Sequence, residues 1–181
     1  MAMHRTLLTA EELLQMEDST RYELVKGELV YMSPAGMKHG NITGDLASRM
    51  IVHAQTNLCG EVFVKSGYIL EREPDTVRGP DISFVSKARI PKEGIPDGFF
   101  EMAPDVAVEI VSPSDRYQDI EEKVHEYLNA GSKMVWVVSP KQRTVTVYRS
   151  LTDVKVLTEK EELTGDDVIS GFRCAVREIF E

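Results

Sequence analysis

Two acids stand where burial makes a charge expensive. Asp81 opens the run "PDISFV" and Glu109 sits inside "DVAVEIV", and each run is otherwise apolar enough to read as a buried strand. Strand side chains alternate between faces, so Val106, Val108 and Ile110 point one way and Ala107, Glu109 and Val111 the other. Glu109 therefore emerges near the C-terminal end of its strand, where open α/β sheets commonly place ligand sites. If the two strands are neighbours, both carboxylates converge at one edge of a sheet. Carboxylates that close repel unless something neutralises them. A divalent cation does so. Mg²⁺ takes one or two carboxylates, keeps several waters and leaves room for a phosphate. Such an ion polarises a phosphodiester and activates a water.

The next segment supplies a cation. Ile120, Val124, Tyr127 and Leu128 form a helical apolar stripe with Lys123 at its edge. From there the lysine stem can lie over the sheet and its ammonium can reach the carboxylates. A lysine so placed orients an attacking water or stabilises the charge that develops on the phosphoryl group. Each residue also has a plain structural explanation. Asp81 can cap a turn after Gly79-Pro80, Glu109 can be a buried ion-pair partner, and Lys123 can pair with Asp119 one helical turn earlier. Their coincidence in one strand–helix neighbourhood favours chemistry.

These residues need elements to hold them. "TAEE" at Thr9–Glu12 is a capping box that opens a short helix to about Met16. "RYELVKGELVYMS" reads as a β-hairpin turning at Lys26-Gly27. Helical spacing of His39, Ile42, Leu46, Met50 and His53 predicts a helix from about Lys38 to Asn57. "CGEVFVKSGYIL" gives one or two strands, and the Pro- and Gly-rich stretch Ala88–Ala103 a long irregular loop. "DVAVEIV", a helix over Arg116–Ala130 ended by Gly131, and "KMVWVVSP" make a βαβ unit with parallel strands. "RTVTVYRS" and "DVKVLTE" form an outer antiparallel hairpin, and Val168–Phe180 docks back on the core. The fold class is α/β (α+β), with a mixed central sheet, a parallel pair and flanking helices.

The 181 residues fit one domain and bury a single substantial core. Net charge is −9 and the pI about 5.0, which argues against sequence-blind nucleic-acid binding over the whole surface but not against a local basic groove. Cys59 and Cys174 make neither a disulfide framework nor a zinc-ligand spacing. A polar Met1–Glu17 and the absence of a long apolar run predict a cytoplasmic protein that does not span a membrane.

The ordered set "RYELVKGELVYMSPAG", His39, "PDISFV", "APDVAVEIVSPSD" and "DIEEKVHEYLNAGSKMVWVVSP" resembles the Uma-two family, restriction-endonuclease-like proteins of the PD-(D/E)XK superfamily. The resemblance runs from about Tyr22 to the C-terminal "REIF". It implies a restriction-endonuclease-like core with extra antiparallel hairpins and a Mg²⁺ or Mn²⁺ site. Residues 1–20 would form the N-terminal helix, 21–35 the hairpin, 36–140 the nuclease-like core, and 141–181 the C-terminal hairpin and tail. Asp81 and Glu109 match the metal-binding acids. The superfamily's usual lysine position is Val111 here, and the resemblance moves that role to Lys123. In the hairpin, Glu23 and Glu28 are both candidate further acids, and strand parity does not choose between them; the resemblance favours Glu23. His39 is either a phosphate contact or proton shuttle, or a satisfied core histidine, while His53 and His125 read as structural.

The leading reading is a divalent-metal-dependent endonuclease acting on DNA as a homodimer. Lys65, Arg72, Arg78, Lys87, Arg89 and Lys92 would supply a positive rim around Asp81. The alternative is a non-catalytic binding or assembly module on the same scaffold, with Ile95, Phe99 and Phe100 as its interface. A small-molecule enzyme would need a phosphate cradle, dinucleotide fingerprint or nucleophile motif that the sequence lacks.

Overall fold

The computed structural model describes residues 7–181; the first six, on which part of the polar N-terminal reading falls, lie outside it. Helix α1 (Ala10–Gln15) opens with the reciprocal capping box, Thr9 accepting from the Glu12 amide and Glu12 from the Thr9 amide. Strands β1 (Tyr22–Val25) and β2 (Glu28–Tyr31) turn at Lys26-Gly27, both at positive φ, as a two-residue hairpin requires. Helix α2 (Met37–Asn57) follows, then β3 (Gly60–Val64), β4 (Tyr68–Glu71), β5 (Thr76–Arg78) and β6 (Ile82–Ser86).

After the long loop come β7 (Val106–Ile110), α3 (Tyr117–Asn129), β8 (Met134–Ser139), β9 (Thr144–Tyr148) and β10 (Val154–Leu157). The tail adds β11 (Glu162–Thr164) and β12 (Arg173–Ala175), which pair with each other. Gly131, at φ +102, sits just past the end of α3 as expected.

The main sheet has six strands in the order β10-β9-β8-β7-β6-β3, with β7 and β8 parallel and the other pairs antiparallel. Side-chain alternation along β7 divides its core in two. Val106, Val108 and Ile110 pack with α2 residues Ile42, Leu46 and Met50 and with tail residues Phe172, Val176 and Ile179. Ala107 packs on the other face against Ile120, Val124 and Tyr127 of α3. The tail is thus part of the main core, with Phe172 stacked on Trp136.

A second, four-stranded antiparallel sheet, β2-β1-β5-β4, forms around the hairpin. Strand β5 leaves no signal in the sequence. Three residues between Pro74 and Gly79-Pro80 are too short to show periodicity, yet all three are buried. Phe99 and Phe100 tie the long loop to the protein's own core: Phe100 stacks on Tyr68 and meets Phe63 edge-on, while Phe99 packs against the small-sheet cluster. They are not a free interface, although Ile95 is exposed.

The far ends of β6 and β7 are closed by a buried ionic clamp. Asp105 accepts from the Ser86 amide at 2.8 Å and faces Lys133 at 2.9 Å and Arg89 at 3.1 Å. Against the upward push of burial, those donors hold its carboxyl below the usual range.

Candidate active site

At the opposite ends of the same strands the acids meet. Ile82 pairs with Val108, so continuing the antiparallel register sets Asp81 across from Glu109. Asp81 is almost fully buried. Its Oδ2 accepts the Ile110 amide at 2.6 Å and the His39 Nε2–H at 3.1 Å; a carboxylate only accepts, so that ring nitrogen carries the proton. His39 lies in the first turn of α2, and Thr43 one turn on donates to its carbonyl at 2.8 Å. Among the described residues, Asp81 Oδ1 has no well-formed hydrogen bond and meets only the Lys65 ammonium. Burial pushes the Asp81 carboxyl up, but His39 and Lys65 outweigh it and hold it low.

Glu109 is held by the helix that covers its face of the sheet. Lys123 Nζ reaches Oε2 at 3.1 Å, and the Tyr127 hydroxyl donates to Oε1 at 2.8 Å. Lys123 also faces Glu23 at 3.6 Å, and its contact is with these acids rather than with Asp119. Glu23, on β1, receives the Arg78 guanidinium at 2.9 Å and the Gly79 amide at 3.0 Å, and Arg78 reaches on to Glu126 of α3 at 2.5 Å. This chain of ion pairs ties the small sheet to the main one. Glu28 is exposed, whereas Glu23 is buried in the site.

Electrostatically the three acids differ. Burial desolvates Glu109 and raises its carboxyl, Lys123 opposes that, and the charges on Asp81 and Glu23 push it further up. Glu23 stays low because Lys123 and Arg78 outweigh its desolvation. The Lys123 ammonium, though desolvated, is raised by Glu109 and Glu23 and stays charged.

All five residues singled out beforehand, Glu23, His39, Asp81, Glu109 and Lys123, line one cleft of about 400 Å³. Val111 leaves no lysine on the strand, and Lys123 supplies the ammonium from α3. The expected basic rim does not form. Lys65 and Arg78 line the cleft, but Lys87 and Arg89 follow the other end of β6, and Arg72 pairs with Glu11, Asp75 and Glu101. In the sequence Tyr127 shows only as part of an apolar stripe, because a hydroxyl at the tip of a packed ring leaves no trace in periodicity. Two carboxylates in register, with one buried oxygen facing the ammonium of a half-exposed lysine, suit an ion that completes its shell with water. Among the described residues, no group of three or more His, Cys, Asp or Glu side chains is arranged to hold a metal ion.

A family model described as "Putative restriction endonuclease" (Uma2) matches residues 10–177. The fold is similar to a crystal structure described as that of "a putative nuclease belonging to DUF820" from Anabaena variabilis. TM-score is 0.84 and identity 22%, over 96% of this chain and 97% of that one. No curated protein matches the chain. No helix among the described residues is long and apolar enough to cross a membrane.

Proposed function

The chain belongs to the Uma2 family, and on that premise we propose that it is a divalent-metal-dependent endonuclease hydrolysing DNA phosphodiester bonds. The observation that carries this reading is the crowding at Glu109. Glu109 is buried, stands in register across from Asp81, and shares the Lys123 ammonium with Glu23. The three buried acids are each met by a cation, Asp81 by Lys65, Glu109 by Lys123 and Glu23 by Arg78, and it is the side-by-side placing of Asp81 and Glu109 that suits a divalent ion. Asp81 and Glu109 would hold Mg²⁺ or Mn²⁺, which supplies Lewis-acid polarisation of the phosphate and a more acidic bound water. His39 and the Ile110 amide fix one Asp81 oxygen and leave the other facing the Lys65 ammonium. Tyr127 and Lys123 fix the orientation of Glu109. The Lys123 ammonium, charged and held between Glu109 and Glu23, is placed to orient a water or meet charge developing on the phosphoryl oxygens. Glu23, itself fixed by Arg78, helps hold that ammonium in place. A duplex has two strands, so cutting both calls for two copies, and a homodimer belongs to the proposal.

One observation favours a non-catalytic module instead. The side chains lining the cleft include six acids, among them Asp115, Asp119 and Glu122 at its mouth, against Lys65, Arg78 and Lys123. That balance repels a phosphate backbone unless metal is bound. Calorimetric titration with Mn²⁺ and Mg²⁺ separates the two, on wild type and Asp81→Asn, each with a short non-cleavable duplex. Binding that disappears in the variant supports the nuclease. No binding by the wild type at millimolar metal leaves the acids as ion-pair partners and favours the module.

A further inference from the structure

The cations of the cleft are not equally fixed. Arg78 and Lys123 have side chains only 6% and 11% exposed, each clamped between two glutamates. Lys65 is 52% exposed, yet its ammonium lies against the buried Asp81 Oδ1, the oxygen that no other donor satisfies. Its backbone is tied to the same residue, the Lys65 amide donating to the Asp81 carbonyl at 3.3 Å. It stands at φ +53 in the short turn between β3 and β4. Lys65 also lines the adjoining groove beside Tyr31 and Phe99, so its flexible stem has somewhere to go when it leaves.

From this we infer that Lys65 is a displaceable internal counter-ion. Its ammonium occupies the position at Asp81 Oδ1 that a divalent ion takes, and metal binding drives it out into the groove. The inference rests on the metal-site reading above and adds a control: the empty site is neutralised by the chain itself, and metal affinity is set by competition with Lys65. Lys123 cannot play this part, being held by two acids at once.

Two measurements test it. Calorimetry compares Mn²⁺ binding by wild type and Lys65→Gln; losing a competitor of surface-pair strength should tighten binding roughly fivefold. Lysine acylation, followed by peptide mass spectrometry on the wild type, should show Lys65 reacting at least about threefold faster in saturating Mn²⁺, once its amine is released from Asp81. The exposed Lys92 serves as reference and should not change. Tighter binding together with faster acylation supports the inference. Unchanged or weaker binding in the variant overturns it and leaves the metal site standing. Tighter binding with unchanged acylation also overturns it, because a charge acting only through its field gives that result. If neither chain binds Mn²⁺ at millimolar concentration, the metal site itself falls and the inference with it.

Discussion

Asp81 and Asp105 invite comparison. Each follows a proline, each is buried, and they close opposite ends of the β6–β7 pair. Asp105 is one acid facing two cations and the Ser86 amide, and its charge is more than balanced. Asp81 stands across from Glu109 in a cleft where acids outnumber cations. A buried carboxylate is therefore no signature of chemistry by itself. What separates the two ends is like-charge crowding beside open space, which makes one a clamp and the other a candidate site.

The contrast can be broken most sharply by activity. Glu109→Gln should lower metal-dependent cleavage of plasmid DNA by about 10³-fold or more, whereas Asp105→Asn should leave the folded protein's cleavage within about threefold of wild type. Equal losses in the two variants would erase the distinction. Stability should run the other way. Removing the Asp105 charge strands Lys133 and Arg89, which can partly turn to water. The cost should be about 2 kcal/mol in urea unfolding, below the usual 3–5 kcal/mol for breaking a buried pair. Glu109→Gln relieves repulsion and keeps an acceptor for Tyr127, so its stability should stay within about 1 kcal/mol of wild type.

The smallest effect is in acid. The Asp105 carboxyl is lowered in the fold, so the stability it contributes is present above its ordinary pKa and is lost as pH falls through the lower folded value. Glu109 is raised in the fold and has the opposite sign: its ionisation penalises the native state as pH rises through the raised value. Melting curves taken from pH 6 downward should therefore fall less steeply below about pH 4 in Asp105→Asn than in wild type. A curve parallel to wild type would mean that Asp105 is not a source of acid sensitivity.

The sequence carried the main sheet's parallel pair, the N-terminal hairpin and the outer hairpin, because capping boxes, Lys-Gly turns and period-two alternation are local signals. Glu109 and Lys123 were legible for the same reason, through strand parity and helical phase. Other features depend on contacts between distant segments. The chain contains four Pro-Asp pairs, ending in Asp75, Asp81, Asp97 and Asp105, and the dipeptide cannot tell them apart. Asp75 accepts from the Ala10 amide at the start of α1, a role 65 residues away in sequence. The basic rim failed because sequence neighbours of "PDISFV" include residues at both ends of a strand, and a strand separates its ends. The tips of Lys65 and Arg78 depend on which sheet end the chain returns to, and no local pattern records that.

The ion-pair chain Glu109–Lys123–Glu23–Arg78–Glu126 has a meaning for the order of synthesis. Its members come from β1, β5, β7 and α3, and the sheet behind them is sealed by Phe172, Val176 and Ile179 near the end of the chain. A ribosome-bound fragment that has reached β7 carries Glu23 and Glu109 but not Lys123, and has no strand on the far side of Glu109. Such a nascent chain holds no ordered cleft. The catalytic capacity proposed for this protein would thus arrive only after the segment carrying Phe172, Val176 and Ile179 has been made.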